Sequence, residues 1–168
     1  MVQTPSQIAL SQKSRNQRRD AFNADPERAA LRESVRAVDA ESLATARMAA
    51  EAALEKKAEE VLLIDLHQRS SYADYLVLCS GASDRQLEAI ADSVWMKLKE
   101  NGHRLVGKEG GGAGRWLLLD FGDVVVHVFH QDERGHYDLE GLWADAPQTR
   151  IEPGPATAQG PANSPAAQ

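Results

Sequence analysis

The stretch from Arg115 to His130, RWLLLDFGDVVVHVFH, decides the fold of this chain. Two apolar runs flank Asp120-Phe121-Gly122-Asp123, where a glycine tolerates the positive φ of a tight turn. The pattern therefore predicts a β-hairpin. Both arms are apolar on both faces, which is typical of strands inside a sheet that is covered on each side. We expect one of the two covers to be another molecule.

Side chains alternate across a β-strand, so each arm of the hairpin has two distinct faces. One face of the first arm carries Trp116, Leu118 and Asp120. The opposite face carries Leu117 and Leu119, together with Arg115 at the start of the arm. In the second arm one alternating set is Val124, Val126 and Val128. The other set is Val125, His127 and Phe129.

Three further segments have the pattern of helices. Apolar residues at spacings of three and four predict one helix over residues 42–57 and another over residues 83–100. Ser83 and Gln86 form the capping-box pattern that begins the second helix. A short helix is predicted over residues 132–143, after the hairpin.

Two short apolar runs predict buried strands over residues 61–66 and 75–80. The connection between them is too short for a parallel crossover, so we expect these strands to run antiparallel. Residues 105–114 contain five glycines and are predicted to form a mobile loop that leads into the hairpin.

The order of elements predicts an α/β (α+β) fold, a single small domain in which a mixed β-sheet is flanked by helices. This domain is expected over residues 42–147. Residues 1–41 have weak periodicity and many charges, and are predicted to be an N-terminal extension that is largely disordered or only transiently helical. Residues 148–168 are rich in Pro, Ala and Gln, and are predicted to be a disordered low-complexity tail.

The charge of the chain limits its partners. The net charge is −6 and the pI is near 5.4, which disfavours nonspecific electrostatic binding to the phosphates of DNA or RNA. The excess of acidic residues lies in the predicted domain, because residues 45–147 carry 11 Lys and Arg against 18 Asp and Glu. We therefore expect a basic macromolecular partner.

The sequence predicts a cytoplasmic protein without membrane contact. A single cysteine, Cys79, fits a reducing compartment, and no apolar run approaches the roughly 20 residues needed to span a bilayer. Residues 1–19 contain no acidic residue and are rich in Ser and Gln, a composition that resembles a mitochondrial or plastid transit peptide. A disordered basic tail, or an over-extended gene start with translation beginning nearer Met48, explains the same composition.

Few patterns in the sequence point to catalysis or metal binding. Asp120-Phe121-Gly122 matches the kinase magnesium motif, but the other kinase motifs are missing. His127 and His130 are predicted on opposite strand faces, and no CxxC or HxxxH accompanies them. Residues 107–114 lack the ending of a P-loop. Residues 81–83 precede a helix and suit an anion better, although an ordinary capped helix start explains them. We expect no catalytic residue, metal or cofactor.

Several pieces of the sequence together resemble the ribosomal silencing factor (Iojap) family. They are KKAEEVLLIDL, SSYADYLVLCSGASDRQLEAIAD, GKEGG, WLLLDFGDVVVHVFH and YDLEGLWADAP. They span about Lys56 to Pro147 in the order and spacing of the family. The family's motif positions fall on Tyr72, Asp74, Cys79, Gly81, Ser83, Arg85, Ile90, Gly107, Glu109, Gly110, Trp116, Asp120, Gly122, Asp123, His127, Tyr137 and Trp143.

This resemblance implies a nucleotidyltransferase-like fold without the catalytic motif. It also implies a protein that binds the large ribosomal subunit through the ribosomal protein in the L-fourteen position. Such a protein blocks joining of the small subunit and represses translation under nutrient limitation. The mechanism is steric, so no enzyme is expected. A basic protein partner agrees with the acidic domain, and a homodimer off the ribosome is left open.

The resemblance also implies a contact surface on the exposed side of the hairpin and on the loop before it. Trp116 is the predicted aromatic anchor of this surface, since tryptophan is enriched among residues that dominate binding energy. The residues predicted around it are Lys108, Glu109, Leu118, Asp120 and His130. Further candidates from a neighbouring loop and helix start are Tyr72, Asp74 and Arg85.

Two other functions remain open at this point. Organellar relatives of the family assist assembly of the large subunit, which would suit a transit peptide at residues 1–19. A nucleotidyltransferase would use residues 81–83 for phosphate and carboxylates for metal. Such enzymes need two acidic residues two positions apart on one strand face, whereas Asp120 and Asp123 are three apart across a turn.

Overall fold

The computed structural model describes residues 26–111 and 114–154. These residues form four helices and six strands. In chain order the elements are α1 Pro26–Glu55, β1 Glu59–Asp65, β2 Tyr75–Gly81, α2 Asp84–Glu100, β3 Gly107–Gly110, β4 Trp116–Asp120, β5 Val124–His130, α3 Gln131–Tyr137, α4 Leu139–Leu142 and β6 Gln148–Arg150.

The six strands form one mixed sheet in the order β3-β4-β5-β2-β1-β6. β2 pairs with β5 in parallel, and every other neighbouring pair in this sheet is antiparallel. The predicted mixed sheet, the antiparallel pairing of β1 with β2 and the hairpin of β4 with β5 are confirmed. The hairpin turn contains Gly122, which has a φ of +89°.

The two faces of the sheet pack against different elements. On one face, Leu117, Leu119 and Val126 join apolar residues of α1 and α2 in the larger core. On the other face, Val125 and Phe129 belong to a second core, in which partly buried Leu139 and Trp143 take part. The alternation predicted for the hairpin is confirmed, because the two sets of side chains lie in separate cores.

Helix α1 begins at Pro26 and not at the predicted residue 42, so residues 26–41 are helical where a largely disordered or transiently helical extension was predicted. Proline suits the first position of a helix, and no Gly or Pro follows it before Glu55. Residues 26–41 carry mostly exposed side chains, which is why apolar periodicity did not predict this part of the helix. The predicted disorder of residues 1–25 lies outside the described residues.

Strand β3 corrects the predicted mobile loop. Residues 107–110 pair antiparallel with β4, so the glycine-rich stretch supplies an edge strand. Position 110 requires glycine, because its φ is +81° and a Cβ there would clash with the carbonyl oxygen of Trp116. β3 lacks the apolar alternation from which strands are predicted, because three of its four residues are exposed.

The ordered domain also continues past Pro147. Residues 148–150 form β6, which pairs with Leu62, Leu63 and Ile64 of β1, so the predicted disorder is wrong for these residues. All three β6 side chains are exposed, and its pairing rests on backbone hydrogen bonds that leave no pattern in the sequence. Ile151 then packs on the larger core. The remainder of the predicted tail, from residue 155, lies outside the described residues.

Candidate interaction surface

An open aromatic and acidic surface lies on the sheet face opposite to α1 and α2. We call it the aromatic face. On β4 the same alternating set carries Trp116, Leu118 and Asp120, all partly exposed. Glu109 of β3 lies directly opposite Leu118, and side chains of directly opposite residues share a face. The residues of the aromatic face are Tyr72, Glu109, Trp116, Leu118, Asp120 and Tyr137.

Four rings in mutual contact support this surface. Trp116 stacks on His127 with ring centroids 6.0 Å apart, and His127 stacks on Phe129 at 5.8 Å. Tyr137 lies 5.5 Å from Trp116 and 5.2 Å from Phe129. The contacts among the three strand residues follow from the register, because Trp116 lies opposite Phe129 and Leu118 lies opposite His127. The partly exposed indole therefore rests on a packed aromatic base.

His127 is neutral at physiological pH. Its side chain is only 7 % exposed, and burial lowers the pKa of the imidazole to about 4. The indole Nε1–H of Trp116 donates to its Nδ1 at 3.2 Å. An imidazole can accept at Nδ1 only when that nitrogen carries no proton, so the hydrogen bond and the lowered pKa agree.

Carboxylates give the aromatic face a negative charge. Burial raises the pKa of the Tyr72 phenol, and the nearby charges of Asp120 and Glu109 raise it further. These three side chains therefore lie close enough to interact. Asp120 also accepts a hydrogen bond from the backbone N–H of Gly122 at 2.8 Å, which fixes its carboxylate at the hairpin turn. A basic partner is the electrostatic complement of this surface.

Lys108 is separated from the predicted anchor. It precedes Glu109 on β3, so its side chain lies on the sheet face that carries the helices. There its ammonium nitrogen lies 3.4 Å from Glu88 of α2. The structure therefore places Lys108 away from Trp116, because the register of β3 turns Glu109 and not Lys108 toward the aromatic face.

His130 and Arg85 lie where β5 and α2 meet. The His130 side chain caps α3 and is hydrogen-bonded to the carbonyl oxygen of Ala82 at 3.0 Å, just before α2 begins. It also lies 2.7 Å from the guanidinium of Arg115. Arg85 is exposed on the first turn of α2. The predicted capping of this helix by Ser83 is confirmed, since its hydroxyl accepts from the Gln86 N–H.

Asp74 is close to Tyr72 in sequence, but its carboxylate has a different role. It accepts a hydrogen bond from the hydroxyl of Ser42 on α1 at 2.7 Å and lies 3.8 Å from Nε2 of His67. The carboxylate therefore links α1 to the loop before β2. Tyr72, by contrast, is 53 % exposed and belongs to the aromatic face.

Sequence reasoning did not assign Tyr137 or His127 to the site. Tyr137 comes from α3, and its stacking on Trp116 depends on how that helix packs on the sheet. His127 falls on a motif position of the family resemblance, but no role was assigned to it. The sequence shows by strand alternation that His127 shares a face with Phe129. The register of β4 with β5 places that face on the same side of the sheet as Trp116.

The described side chains do not assemble a metal centre. Across residues 26–111 and 114–154 no three His, Cys, Asp or Glu side chains are grouped so that they could hold a metal ion. The thiol of Cys79 is fully buried, and burial raises its pKa to about 12, so the reactive thiolate is disfavoured.

Comparison with known proteins identifies the family. A family model described as "Ribosomal silencing factor during starvation" matches residues 39–168. The chain belongs to the ribosomal silencing factor family. The resemblance predicted from the sequence is confirmed, and the chain is placed among regulators of translation.

Relatives come from bacteria and from organelles. The ribosomal silencing factor of Bacillus subtilis is 46 % identical over 106 residues, which cover 63 % of this chain and 90 % of that protein. The one from Chromobacterium violaceum is 41 % identical over 97 residues, covering 58 % and 80 %. A mouse protein named "Mitochondrial assembly of ribosomal large subunit protein 1" is 34 % identical over 92 residues, covering 53 % and 40 %. These names describe regulation and assembly, and none names a reaction.

Two crystal structures resemble this member of the silencing factor family. A protein of Chromobacterium violaceum superposes with a TM-score of 0.59 at 39 % identity, and the match covers 61 % of this chain and 85 % of that one. A protein of Bacillus halodurans gives 0.55 at 40 % identity, covering 62 % and 95 %. The predicted α+β fold with a mixed sheet and flanking helices is confirmed.

Among the helices that the structure describes, none has the length and apolarity required to cross a membrane.

Proposed function

We propose that this ribosomal silencing factor binds the large ribosomal subunit through the ribosomal protein in the L-fourteen position. It thereby blocks joining of the small subunit and represses translation under nutrient limitation. The observation that carries the proposal is the aromatic face, where a partly exposed Trp116 on a packed base is bordered by Glu109 and Asp120. Tryptophan anchors with acidic neighbours suit a basic protein surface.

The proposed mechanism is steric occlusion in the cytoplasm. A protein seated on a subunit-joining surface competes with the bridge contacts there, and it needs no catalytic group. The aromatic face supports this proposal, because it offers a partner the partly exposed side chains of Trp116, Leu118 and Asp120. By mass action, an abundant factor is effective at modest affinity. In this proposal the chain is not an enzyme, and it has no DNA, membrane or cofactor as a partner.

The predicted contact residues divide into two groups in this proposal. The first group lies on the aromatic face and meets the partner directly: Tyr72, Glu109, Trp116, Leu118 and Asp120. The second group lies elsewhere, at the helix side or the strand ends, and contributes at the rim: Lys108, Asp74, Arg85 and His130.

Binding to separated subunits tests the proposal. The purified chain is centrifuged with isolated large subunits and, in parallel, with isolated small subunits. We expect it to pellet with the large subunits alone and, when added before the small subunits, to reduce formation of joined ribosomes. Pelleting with small subunits alone, or joining that is unchanged at saturating factor, would contradict the proposal.

Assembly of an organellar large subunit is the second candidate. The mouse relative carries that function in its name, and residues 1–19 of this chain contain no acidic residue. Sequencing the N-terminus of the mature protein separates the two candidates. Loss of the first residues by cleavage in an organelle would favour assembly, whereas an intact N-terminus in the cytoplasm would favour silencing.

A further inference from the structure

The Trp116 indole already has its hydrogen-bond partner inside the protein. Its Nε1–H donates to His127 at 3.2 Å, so the indole does not need an acceptor from another molecule. The part of this side chain that remains accessible is therefore apolar and aromatic. Such a surface suits apolar groups and cations. The orientation of the ring thus decides which of its surfaces a partner meets.

That orientation is held from two directions. His127 contacts the ring by stacking and by its Nδ1, and Tyr137 stacks at an interplanar angle of 21°. His127 is itself fixed, because it is buried and stacks nearly parallel to Phe129 with an angle of 6°. A side chain that is immobilised before binding loses less conformational entropy when the complex forms.

We propose that His127 is a positioning residue that fixes the Trp116 indole, through the Nε1–H to Nδ1 hydrogen bond, in the orientation that meets the partner. This inference rests on the proposed function for its consequence in binding. A phenylalanine at this position would keep the stacking and lose the acceptor. The histidine therefore gives Trp116 both a ring contact and a hydrogen-bond acceptor.

Two substitutions separate the acceptor from the ring. His127→Phe keeps an aromatic ring of similar size and removes the acceptor. His127→Asn removes the ring and restores an oxygen at the distance of Nδ1 from the backbone. Trp95 and Trp143 provide internal references, since the chain has three tryptophans and only the Trp116 indole donates to His127 among the described contacts.

The experiment combines the indole N–H signals in ¹H–¹⁵N NMR spectra with affinity for isolated large subunits. In His127→Phe we expect the Trp116 signal to move upfield while the Trp95 and Trp143 signals stay, with affinity reduced about tenfold. In His127→Asn we expect a smaller upfield shift of the Trp116 signal and a smaller loss of affinity than in His127→Phe. Thermal unfolding of each variant shows whether its fold is intact.

The results distinguish two failures. If the wild-type chain does not bind large subunits, the proposed function is wrong. If the wild type binds and His127→Phe binds equally well, or if its Trp116 signal does not move, the positioning role is wrong. Equal losses in His127→Phe and His127→Asn, with the same spectra, would assign the effect to general packing and would also overturn the inference.

Discussion

Arg134 of α3 donates to the Ser80 hydroxyl of β2 at 2.9 Å, although 54 residues separate them along the chain. The same guanidinium donates to the backbone carbonyl of Glu60 at 2.7 Å and to the Glu140 carboxylate at 2.8 Å. These bonds hold α3 against the sheet. They thereby determine where Tyr137, at the end of α3, meets Trp116.

We expect Arg134→Ala to lower the free energy of unfolding by about 2–4 kcal/mol, because it leaves buried polar groups without their partner. Chemical denaturation measures this change. Arg69→Ala is the matched control, since Arg69 is more exposed and its nearest carboxylate contact, to Asp145, is 4.0 Å long. Its effect should stay within about 1 kcal/mol. Equal effects of the two substitutions would contradict the proposed role of Arg134.

Trp116→Ala should weaken binding to isolated large subunits by about 2–4 kcal/mol, the range of a residue that dominates an interface. Trp95→Ala is the control, because Trp95 is also partly exposed but lies on α2, where Lys99 contacts its ring. Co-sedimentation over a range of subunit concentrations measures both. If Trp116→Ala binds like the wild type while its circular dichroism is unchanged, Trp116 is not in the interface.

The carboxylates of the aromatic face should act mainly on the rate of association. The double substitution of Glu109→Gln and Asp120→Asn keeps the side-chain shapes, and Asn retains an oxygen for the Gly122 N–H. We expect a decrease in the association rate of about 3–10-fold at low salt that shrinks as salt is added. Glu100→Gln, an exposed carboxylate at the C-terminal end of α2, should change the rate little. A salt-independent loss would argue against electrostatic steering.

Gly110→Ala should destabilise the protein more than Gly122→Ala. Both glycines have positive φ, at +81° and +89°, but a Cβ at Gly110 would clash with the Trp116 backbone whereas Gly122 faces open space. Strain alone costs about 1 kcal/mol or more, and the clash adds to it at Gly110. Denaturation midpoints of the two variants test this order. Equal midpoints would show that β3 can move away from β4 at low cost.

Burial of His127 should make stability depend on pH. The pKa of its imidazole is about 4 in the folded protein, below its ordinary value of 6.5, so the unfolded chain binds this proton more readily. The stability is therefore complete above about pH 6.5 and declines as pH falls toward 4, by up to about 3 kcal/mol. Unfolding free energies at pH 7, 6 and 5 for wild type and His127→Phe test this. The wild type should lose stability relative to His127→Phe as pH falls, since Phe does not titrate.

Much of the domain was predictable because its elements have strong local patterns. The hairpin alternates two apolar sets around a glycine turn, and Ser83 caps a helix with a clear apolar face. β3 and β6 were missed because edge strands made of Gly-Lys-Glu-Gly and Gln-Thr-Arg are paired through their backbones. A sequence does not show such pairing.

The site was predictable only where strand alternation governs it. Trp116, Leu118 and Asp120 share a face because they alternate on one strand, as predicted. The face of Lys108 depends on β3 being a strand in a given register, which the sequence did not indicate. The contact of Tyr137 with Trp116 depends on the packing of α3, which is set by the distant partners of Arg134.

The parallel pairing of β2 with β5 has a consequence for how the chain folds. Within the described sheet, this strand pair joins two antiparallel groups of strands, β6-β1-β2 and β5-β4-β3. The β4–β5 hairpin closes over a short turn. The pairing of β2 with β5, which places Leu78 opposite His127, requires residues far apart in the sequence to come together. Long-range closure of this kind slows folding more than local pairing does. We therefore expect docking of the two groups, and not formation of the hairpin, to set the folding rate.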